Sequence, residues 1–193
     1  KAFWSHFYPT FQAFFSEHLA DVSLDTFYKA INKVSPSLIR TEADEATYNL
    51  HIMLRFEIEL GMIEGRMATK DLPEIWNEKM RDYLGVVPTN DTNGVLQDVH
   101  WSGGMIGYFP SYAIGNLIAS QWWHQLLKDQ PNTVDEIASG NLANVLAWLR
   151  ENVHQHGSRY DSMDLVQRVT GEPLNPDYYM NYLTEKYSEI YEL

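Results

Sequence analysis

The chain has no cysteine among its 193 residues. This absence excludes disulfide bonds and thiolate metal sites, and it is typical of a reducing compartment, so we expect a cytoplasmic protein. The sequence also lacks any apolar run near the ~20 residues that a membrane-spanning helix requires. We therefore expect no membrane partner.

Basic residues are scarce. Lysine and arginine total 14 against 26 aspartate and glutamate residues, which gives a formal net charge of -12. Because phosphate binding requires a basic surface, this balance argues against a nucleic-acid partner. A hydrophobic content of 45% with 21% charged residues is typical of a globular protein rather than a disordered one.

The common catalytic and metal-binding motifs are missing as well. None of the seven histidines belongs to an H-E-x-x-H helix motif, and there is no glycine-rich phosphate loop or nucleophile elbow. His154 and His156 are two residues apart on a predicted helix end, so their side chains point in different directions. We expect no complete zinc site within this chain, and no motif supports a Ser-His-Asp triad.

The apolar residues recur at helical spacing along most of the chain. One long helix is predicted from Leu38 or Asp44 to near Glu64, with Arg55 and Glu59 paired at one-turn spacing on an exposed side. We also expect Pro9 to interrupt or kink the first helix. The fold class is therefore all-α.

Turn residues concentrate between residues 86 and 104, where we expect at most a few short strands. No internal repeat, low-complexity tract or flexible linker divides the sequence. The organisation that follows is a single helical unit over residues 1–193.

The most unusual stretch is Gly94–Trp101, with the sequence GVLQDVHW. It places an amide, a carboxylate, an imidazole and an indole in five positions: Gln97, Asp98, His100 and Trp101. A core strand would alternate apolar and polar residues instead. The run indicates a polar site held on a stiff frame.

Arg40 and His100 can each be interpreted as structural or as functional residues. Arg40 and Asp44 could form a salt bridge at a helix start, or Arg40 could clamp a carboxylate with its planar fork. His100 could be a histidine held by Asp98 or a backbone carbonyl, or it could donate to developing negative charge. Core packing is the usual role of tyrosines such as Tyr108 and Tyr112.

Two sequence motifs favour the functional interpretation of Arg40 and His100. The run Ile39–Asp44 resembles I/L-R-x-x-A-D, and Gly94–Trp101 resembles G-x-x-Q-D-x-H-W. Both motifs belong to the thermostable (Taq-type) carboxypeptidase family of zinc metallopeptidases, and the similarity covers essentially every residue. The fold that this resemblance implies is a long-helical zinc peptidase with a cleft.

The resemblance also defines what is missing. The family's zinc site takes two histidines and a general-base glutamate from H-E-x-x-H, and a third ligand, a glutamate, about thirty residues downstream. Neither motif occurs in this sequence. We therefore expect the C-terminal portion of a catalytic domain in a protein of roughly 500 residues, with the zinc ligands upstream of Lys1 and no zinc bound by this portion alone.

In the chemistry implied by the resemblance, zinc-bound water attacks the last peptide carbonyl of the substrate. Arg40 is then the candidate that holds the terminal carboxylate. His100 and Tyr108 would donate to the oxyanion, with Tyr112 as the alternative tyrosine. The residues expected to orient these groups from behind are Asp44, Gln97, Asp98 and Trp101.

The partners implied are peptides with a free C-terminal carboxylate, the missing N-terminal portion and a second subunit of a homodimer. We expect this portion alone to be inactive. The alternative from another functional class is a non-catalytic helical interaction module derived from such an enzyme. A third possibility is another helical zinc-peptidase family, such as a dipeptidase or an oligopeptidase.

Overall fold

The computed structural model describes residues 1–193. It contains ten α-helices, three short 3-10 helices and no β-strand, which confirms the all-α prediction. The segment between Gly85 and Phe109 consists of turns and irregular backbone. The helices are α1 (Ala2–Phe14), α2 (Ser16–Leu19), α3 (Leu24–Ile31), α4 (Glu45–Ile63), α5 (Leu72–Leu84), α6 (Pro110–Asp129), α7 (Thr133–Ala138), α8 (Ala143–Asn152), α9 (Ser162–Thr170) and α10 (Asp177–Tyr191). The 3-10 helices are Arg40–Glu42, Thr69–Asp71 and His154–His156.

The chain divides into two compact units. The first comprises Lys1–Ile31 and Asn116–Leu193, and the second comprises Asn32–Gly115. That residues 1–193 form a single helical unit of one catalytic domain stays a prediction. No helix in the chain combines the length and the apolar character that crossing a membrane requires.

The first unit contains an aromatic cluster on α1. Trp4, Tyr8 and Phe11 each contact the ring of Phe27 in α3, with centroid distances of 4.8, 4.7 and 5.5 Å. Pro9 does not interrupt α1, because the helix is continuous from Ala2 to Phe14, and the alternative expectation of a kink at Pro9 stays a prediction. Aromatic packing on both sides of the proline offsets the hydrogen bond that its missing N–H cannot form.

In the second unit, α4 and α5 enclose the hydrophobic core. The Asp44 side chain caps α4 by accepting hydrogen bonds from the backbone N–H groups of Ala46 and Thr47, at 3.0 and 2.9 Å. Gly85 ends α5 with a φ of 70°, a left-handed conformation that favours glycine. The core residues are Leu54, Ile58, Leu72, Trp76, Met80 and Leu84.

The polar residues of α4 do not follow the prediction. Arg55 is fully buried and Glu59 is 5% exposed, so the predicted exposed ion pair between them is wrong. Thr47, His51, Arg55 and Glu59 are all buried and lie four residues apart, which defines the polar stripe of α4. The stripe holds the irregular segment that carries His100, as described below.

Truncation of Ile58 to alanine should lower the free energy of unfolding by about 2–5 kcal/mol, because its buried side chain would leave a cavity between α4 and α5. The matched control is Ile63→Ala on the same helix, where the side chain is 67% exposed and the change should be within about 0.5 kcal/mol. Urea denaturation measures both values. Equal losses in the two variants would contradict this core assignment.

Candidate functional site

The site is centred on the carboxylate of Asp98, which lies between two guanidinium groups. Arg40 Nη2 donates to Oδ1 at 2.7 Å, and Arg40 Nε lies 3.2 and 3.3 Å from the two oxygens. Arg55 Nε donates to Oδ2 at 2.7 Å. Two cations therefore share one carboxylate, and one positive charge is left over.

Gln97 joins the two sequence motifs next to this carboxylate. Its side-chain oxygen accepts from the backbone N–H of Arg40 at 3.0 Å and from Arg55 Nη2 at 2.8 Å. Its amide nitrogen donates to the carbonyl oxygens of Leu38 and Asn93 at 2.9 and 3.0 Å. All four hydrogen-bonding positions of the amide are used, so Gln97 fixes the segment before α4 against the segment after α5.

The charged state of these groups follows from their surroundings. Burial acts to raise the pKa of Asp98, but the hydrogen bonds from Arg40 and the charge of Arg55 outweigh it and hold that pKa below its usual value. Burial lowers the pKa of Arg55 to about 10. All three groups are therefore ionised at neutral pH.

Arg40 keeps part of its donor capacity. Asp98 accepts from Nε and Nη2, and the hydroxyl of Tyr48 accepts from Nη1 at 3.0 Å. Of the five guanidinium N–H groups, one on each terminal nitrogen remains for a further acceptor. The guanidinium also lies 4.8 Å from the ring centroid of Tyr112. A second carboxylate could therefore be bound at the free end of the fork.

His100 is buried next to this arginine site. Its Nε2 lies 3.1 Å from the Tyr112 hydroxyl, and its ring lies 4.3 Å from that of Phe109. Its Nδ1 has no hydrogen-bond partner and lies 3.7 Å from Asp98 Oδ1. Tyr108 is 46% exposed, with its ring centroid 5.7 Å from that of His100. The structure thus brings Arg40, His100 and both tyrosines into one neighbourhood.

Glu59 fixes the far side of the same segment. Its carboxylate accepts from the indole N–H of Trp101 at 2.8 Å and from the backbone N–H of Gly107. The Trp101 ring also meets Trp76 edge to face, with centroids 6.3 Å apart. Trp101 therefore contacts Glu59, a residue expected from the sequence to be exposed, and the supporting role of Trp101 stays a prediction.

The salt bridge considered between Arg40 and Asp44 does not form. Asp44 instead accepts hydrogen bonds from the backbone of Ser35, from Ala46 and from Thr47, and so caps α4. Arg40 lies in a 3-10 helix before the cap, and its guanidinium binds Asp98 instead. Asp44 contributes by fixing the start of α4, which positions the polar stripe.

Arg55, Glu59 and His51 were missed as site residues. The available signal was their spacing of four residues in a helix with apolar residues on most of its faces, since such a helix is expected to be largely buried. His51 is fully buried, and neither of its ring nitrogens has a hydrogen-bond partner.

No group of three or more histidine, aspartate or glutamate side chains in the chain could hold a metal ion. The residues present therefore do not fit a zinc site of the tetrahedral kind, which requires at least three protein ligands. What the site contains is hydrogen-bond donors and a cluster in which two arginines share the single carboxylate of Asp98. That combination suits binding an anionic group and does not by itself suit activating a water molecule.

The all-helical chain thus carries an arginine–aspartate cluster beside a histidine and two tyrosines, which together form a candidate anion-binding site. Residues 1–187 match the model of the carboxypeptidase Taq (M32) metallopeptidase family. The chain therefore belongs to this family. The predicted resemblance is confirmed at the level of the family.

The relatives agree with this assignment. Carboxypeptidase 1 of Bacillus subtilis is 45% identical over 193 residues, which is 100% of this chain and 38% of the relative. Thermostable carboxypeptidase 1 of Thermus thermophilus is 46% identical over 189 residues, with 98% and 37% covered. The chain thus spans less than two fifths of the length of these relatives. These percentages state how much of each relative the chain covers, but not which part of it. The C-terminal position therefore stays a prediction.

Solved structures show the same fold. The M32 carboxypeptidase from Deinococcus radiodurans R1 superposes with a TM-score of 0.96 at 40% identity, covering 100% of this chain and 39% of that one. Trypanosoma cruzi metallocarboxypeptidase 1 gives 0.90 at 40% identity, covering 96% and 39%. The helical arrangement around the site is therefore that of metallocarboxypeptidases.

His51 should make the protein less stable in mild acid. Burial, followed by the positive charges of Arg55 and Arg40, lowers its pKa from 6.5 to about 4. Between these two values the unfolded chain binds a proton that the folded chain does not. The free energy of unfolding should therefore fall as pH drops from 6.5 towards 4, by up to about 3 kcal/mol.

Urea denaturation at a series of pH values measures this effect. His51→Gln removes the titrating group, so part of the acid-induced loss should disappear. His18→Gln changes an exposed histidine and should leave the loss in place. An unchanged pH dependence in His51→Gln would contradict the assignment.

Proposed function

We propose that this chain is the substrate-binding portion of a zinc-dependent metallocarboxypeptidase that releases C-terminal amino acids from peptides. The observation that carries the proposal is the surplus positive charge at Arg40, Arg55 and Asp98, beside the His100–Tyr112 pair. A free C-terminal carboxylate is the anionic group that distinguishes the end of a peptide from its interior. Membership in the M32 family and the names of the relatives support it.

In this proposal Arg40 binds the terminal carboxylate of the substrate. Its remaining N–H groups, one on each terminal nitrogen, match the two oxygens of a carboxylate. Asp98 and Tyr48 hold the guanidinium in place, so little side-chain entropy is lost when the substrate binds. The ring of Tyr112 lies against the guanidinium and limits its movement further.

His100 and a tyrosine donate hydrogen bonds to the oxyanion that forms at the cleaved carbonyl. The Tyr112 hydroxyl and His100 Nε2 are hydrogen-bonded to each other at 3.1 Å, so an oxyanion that approaches from beside the pair would replace this bond and take a hydrogen bond from each group. Tyr108 is the more exposed tyrosine and lies 5.4 Å from Tyr112, ring to ring. We retain both tyrosines as candidates, since their ring centroids lie 5.7 and 5.9 Å from that of His100.

The other components of the proposal lie outside these residues. The zinc ligands belong to the rest of the longer protein, because no group of three or more histidine, aspartate or glutamate side chains in this chain could hold a metal ion. Peptides with a free C-terminus are the proposed substrates. Assembly with the remaining portion, a homodimer and a cytoplasmic location complete the proposal, and we expect this portion alone to be inactive.

A non-catalytic helical interaction module is the second candidate. It is favoured by a line of exposed apolar residues along α4: Met53, Phe56, Leu60 and Ile63. An apolar helix face left in water marks an interaction surface. The mass of the native gene product separates the two candidates, since a product near 22.4 kDa favours the module and a much larger one favours the enzyme.

The enzymatic proposal is tested with the full-length protein and an amino-blocked dipeptide. We expect release of the terminal amino acid with zinc present and loss of release after chelation. The same dipeptide with its C-terminus converted to an amide is the matched control and should be a poor substrate, because it has no carboxylate for Arg40. Absence of zinc-dependent release would overturn the proposal.

The two halves of the proposed site should affect different kinetic constants. Arg40→Ala should mainly raise KM, because the terminal carboxylate of the substrate loses its partner. The decrease in kcat/KM should correspond to about 2–5 kcal/mol of lost transition-state stabilisation. His100→Ala should lower kcat by roughly 100- to 1000-fold, the usual effect of losing one oxyanion donor.

The control for both is Arg66→Ala, an exposed arginine of the same unit. It should leave both constants near their wild-type values. If Arg40→Ala and His100→Ala also retain wild-type kinetics, both residues have only a structural role.

A further inference from the structure

A charge count at the site gives Arg55 a role that neither sequence motif contains. If Asp98 were paired with Arg40 alone, the two charges would cancel and this pair would have no net attraction for an anion. Arg55 shares the same carboxylate, bonding Oδ2 at 2.7 Å while Arg40 bonds Oδ1 at 2.7 Å. The surplus charge therefore depends on Arg55.

Arg55 itself cannot be the residue that contacts the substrate. Its side chain is fully buried, and its N–H groups donate to Asp98, to Gln97 at 2.8 Å and to the backbone oxygen of His51 at 2.8 Å. Its guanidinium also lies 4.6 Å from the ring centroid of Trp76. Its effect on a substrate must pass through Asp98 and Arg40.

A purely structural explanation does not account for this arrangement well. A second buried cation on one carboxylate carries a large desolvation cost, and a well-packed apolar residue would often stabilise such a position as much or more. Arg55 has a functional explanation if it neutralises Asp98, because the positive charge of Arg40 then remains available to attract a ligand. The geometry of Gln97 adds to this, since one amide oxygen receives both the Arg55 side chain and the Arg40 backbone.

We propose that Arg55 is a positioning residue that counters the charge of Asp98 and so leaves the Arg40 guanidinium available to the substrate carboxylate. The inference rests on the proposed function, because it assumes that Arg40 binds that carboxylate. It goes further in assigning the affinity for the carboxylate to a buried pair of arginines rather than to Arg40 alone.

The test measures steady-state kinetics of the full-length zinc-loaded enzyme on the amino-blocked dipeptide. Arg55→Met keeps the bulk of the side chain and removes its charge, and it should raise KM by roughly 10- to 100-fold with a small change in kcat per folded enzyme. Arg55→Lys restores the charge without the planar fork, so KM should return most of the way to wild type. The control Arg66→Met changes an exposed arginine and should leave KM unchanged.

A double variant separates charge from structure. Arg55→Met combined with Asp98→Asn removes one charge of each sign, so the surplus positive charge on Arg40 returns. Its KM should be lower than that of Arg55→Met alone. This variant also removes the negative charge of Asp98, which in Arg55→Met has lost one of its two arginine partners. It remains informative if the single Met variant folds poorly, since its KM should then approach that of Arg55→Lys.

The outcomes distinguish this inference from the function on which it rests. If the wild-type enzyme fails to release the amino acid, or if Arg40→Ala leaves KM unchanged, the proposed function fails. If Arg40→Ala raises KM but Arg55→Met does not, only the role of Arg55 fails. A Met variant with wild-type KM and reduced thermal stability would show that Arg55 is a structural residue and overturn the inference.

Discussion

The shared carboxylate of Asp98 is the contact on which the site depends. It is the meeting point of an arginine that precedes α4, an arginine within α4 and a segment that follows α5. Buried charges are tolerated only when they are paired and hydrogen-bonded, and here each partner meets that requirement through the other two. The positions of Arg40 and His100 both follow from this contact, since His100 is two residues from Asp98.

The segment from Gln97 to Gly107 has neither helix nor strand to hold it, and its order comes from α4. Arg55 binds its beginning, and Glu59 binds Trp101 and Gly107 further along. The two anchors lie four residues apart on one helix, about 6 Å along its axis. His100 is suspended between them, so a rigid helix determines the position of a side chain carried by an irregular segment.

Much of the fold could be predicted, because it depends on local patterns. The apolar spacing predicts a long helix from Leu38 or Asp44 to near Glu64, and the structure has α4 at nearly these bounds. The polar stripe could not be placed in the same way. An arginine and a glutamate one turn apart have the same pattern on a surface as in a core, and only the distant partners Asp98 and Trp101 distinguish the two environments. For the same reason, spacing alone suggested Asp44 as a partner for Arg40, when Asp98 is the partner that tertiary structure supplies.

The polar stripe of α4 also restricts the register in which this helix can pack against the segment that carries Asp98. Moving α4 by one residue in sequence rotates its side chains by about 100°, which would turn Arg55 and Glu59 away from their partners. Phe56 would then face the Asp98 carboxylate, and Leu60 would face Trp101. An apolar helix face tolerates such a shift, because one aliphatic contact can replace another. Ion pairs and indole hydrogen bonds cannot be exchanged in that way. The stripe thus selects a single register for the helix, and insertions or deletions within α4 should be far less tolerated than substitutions on its exposed face.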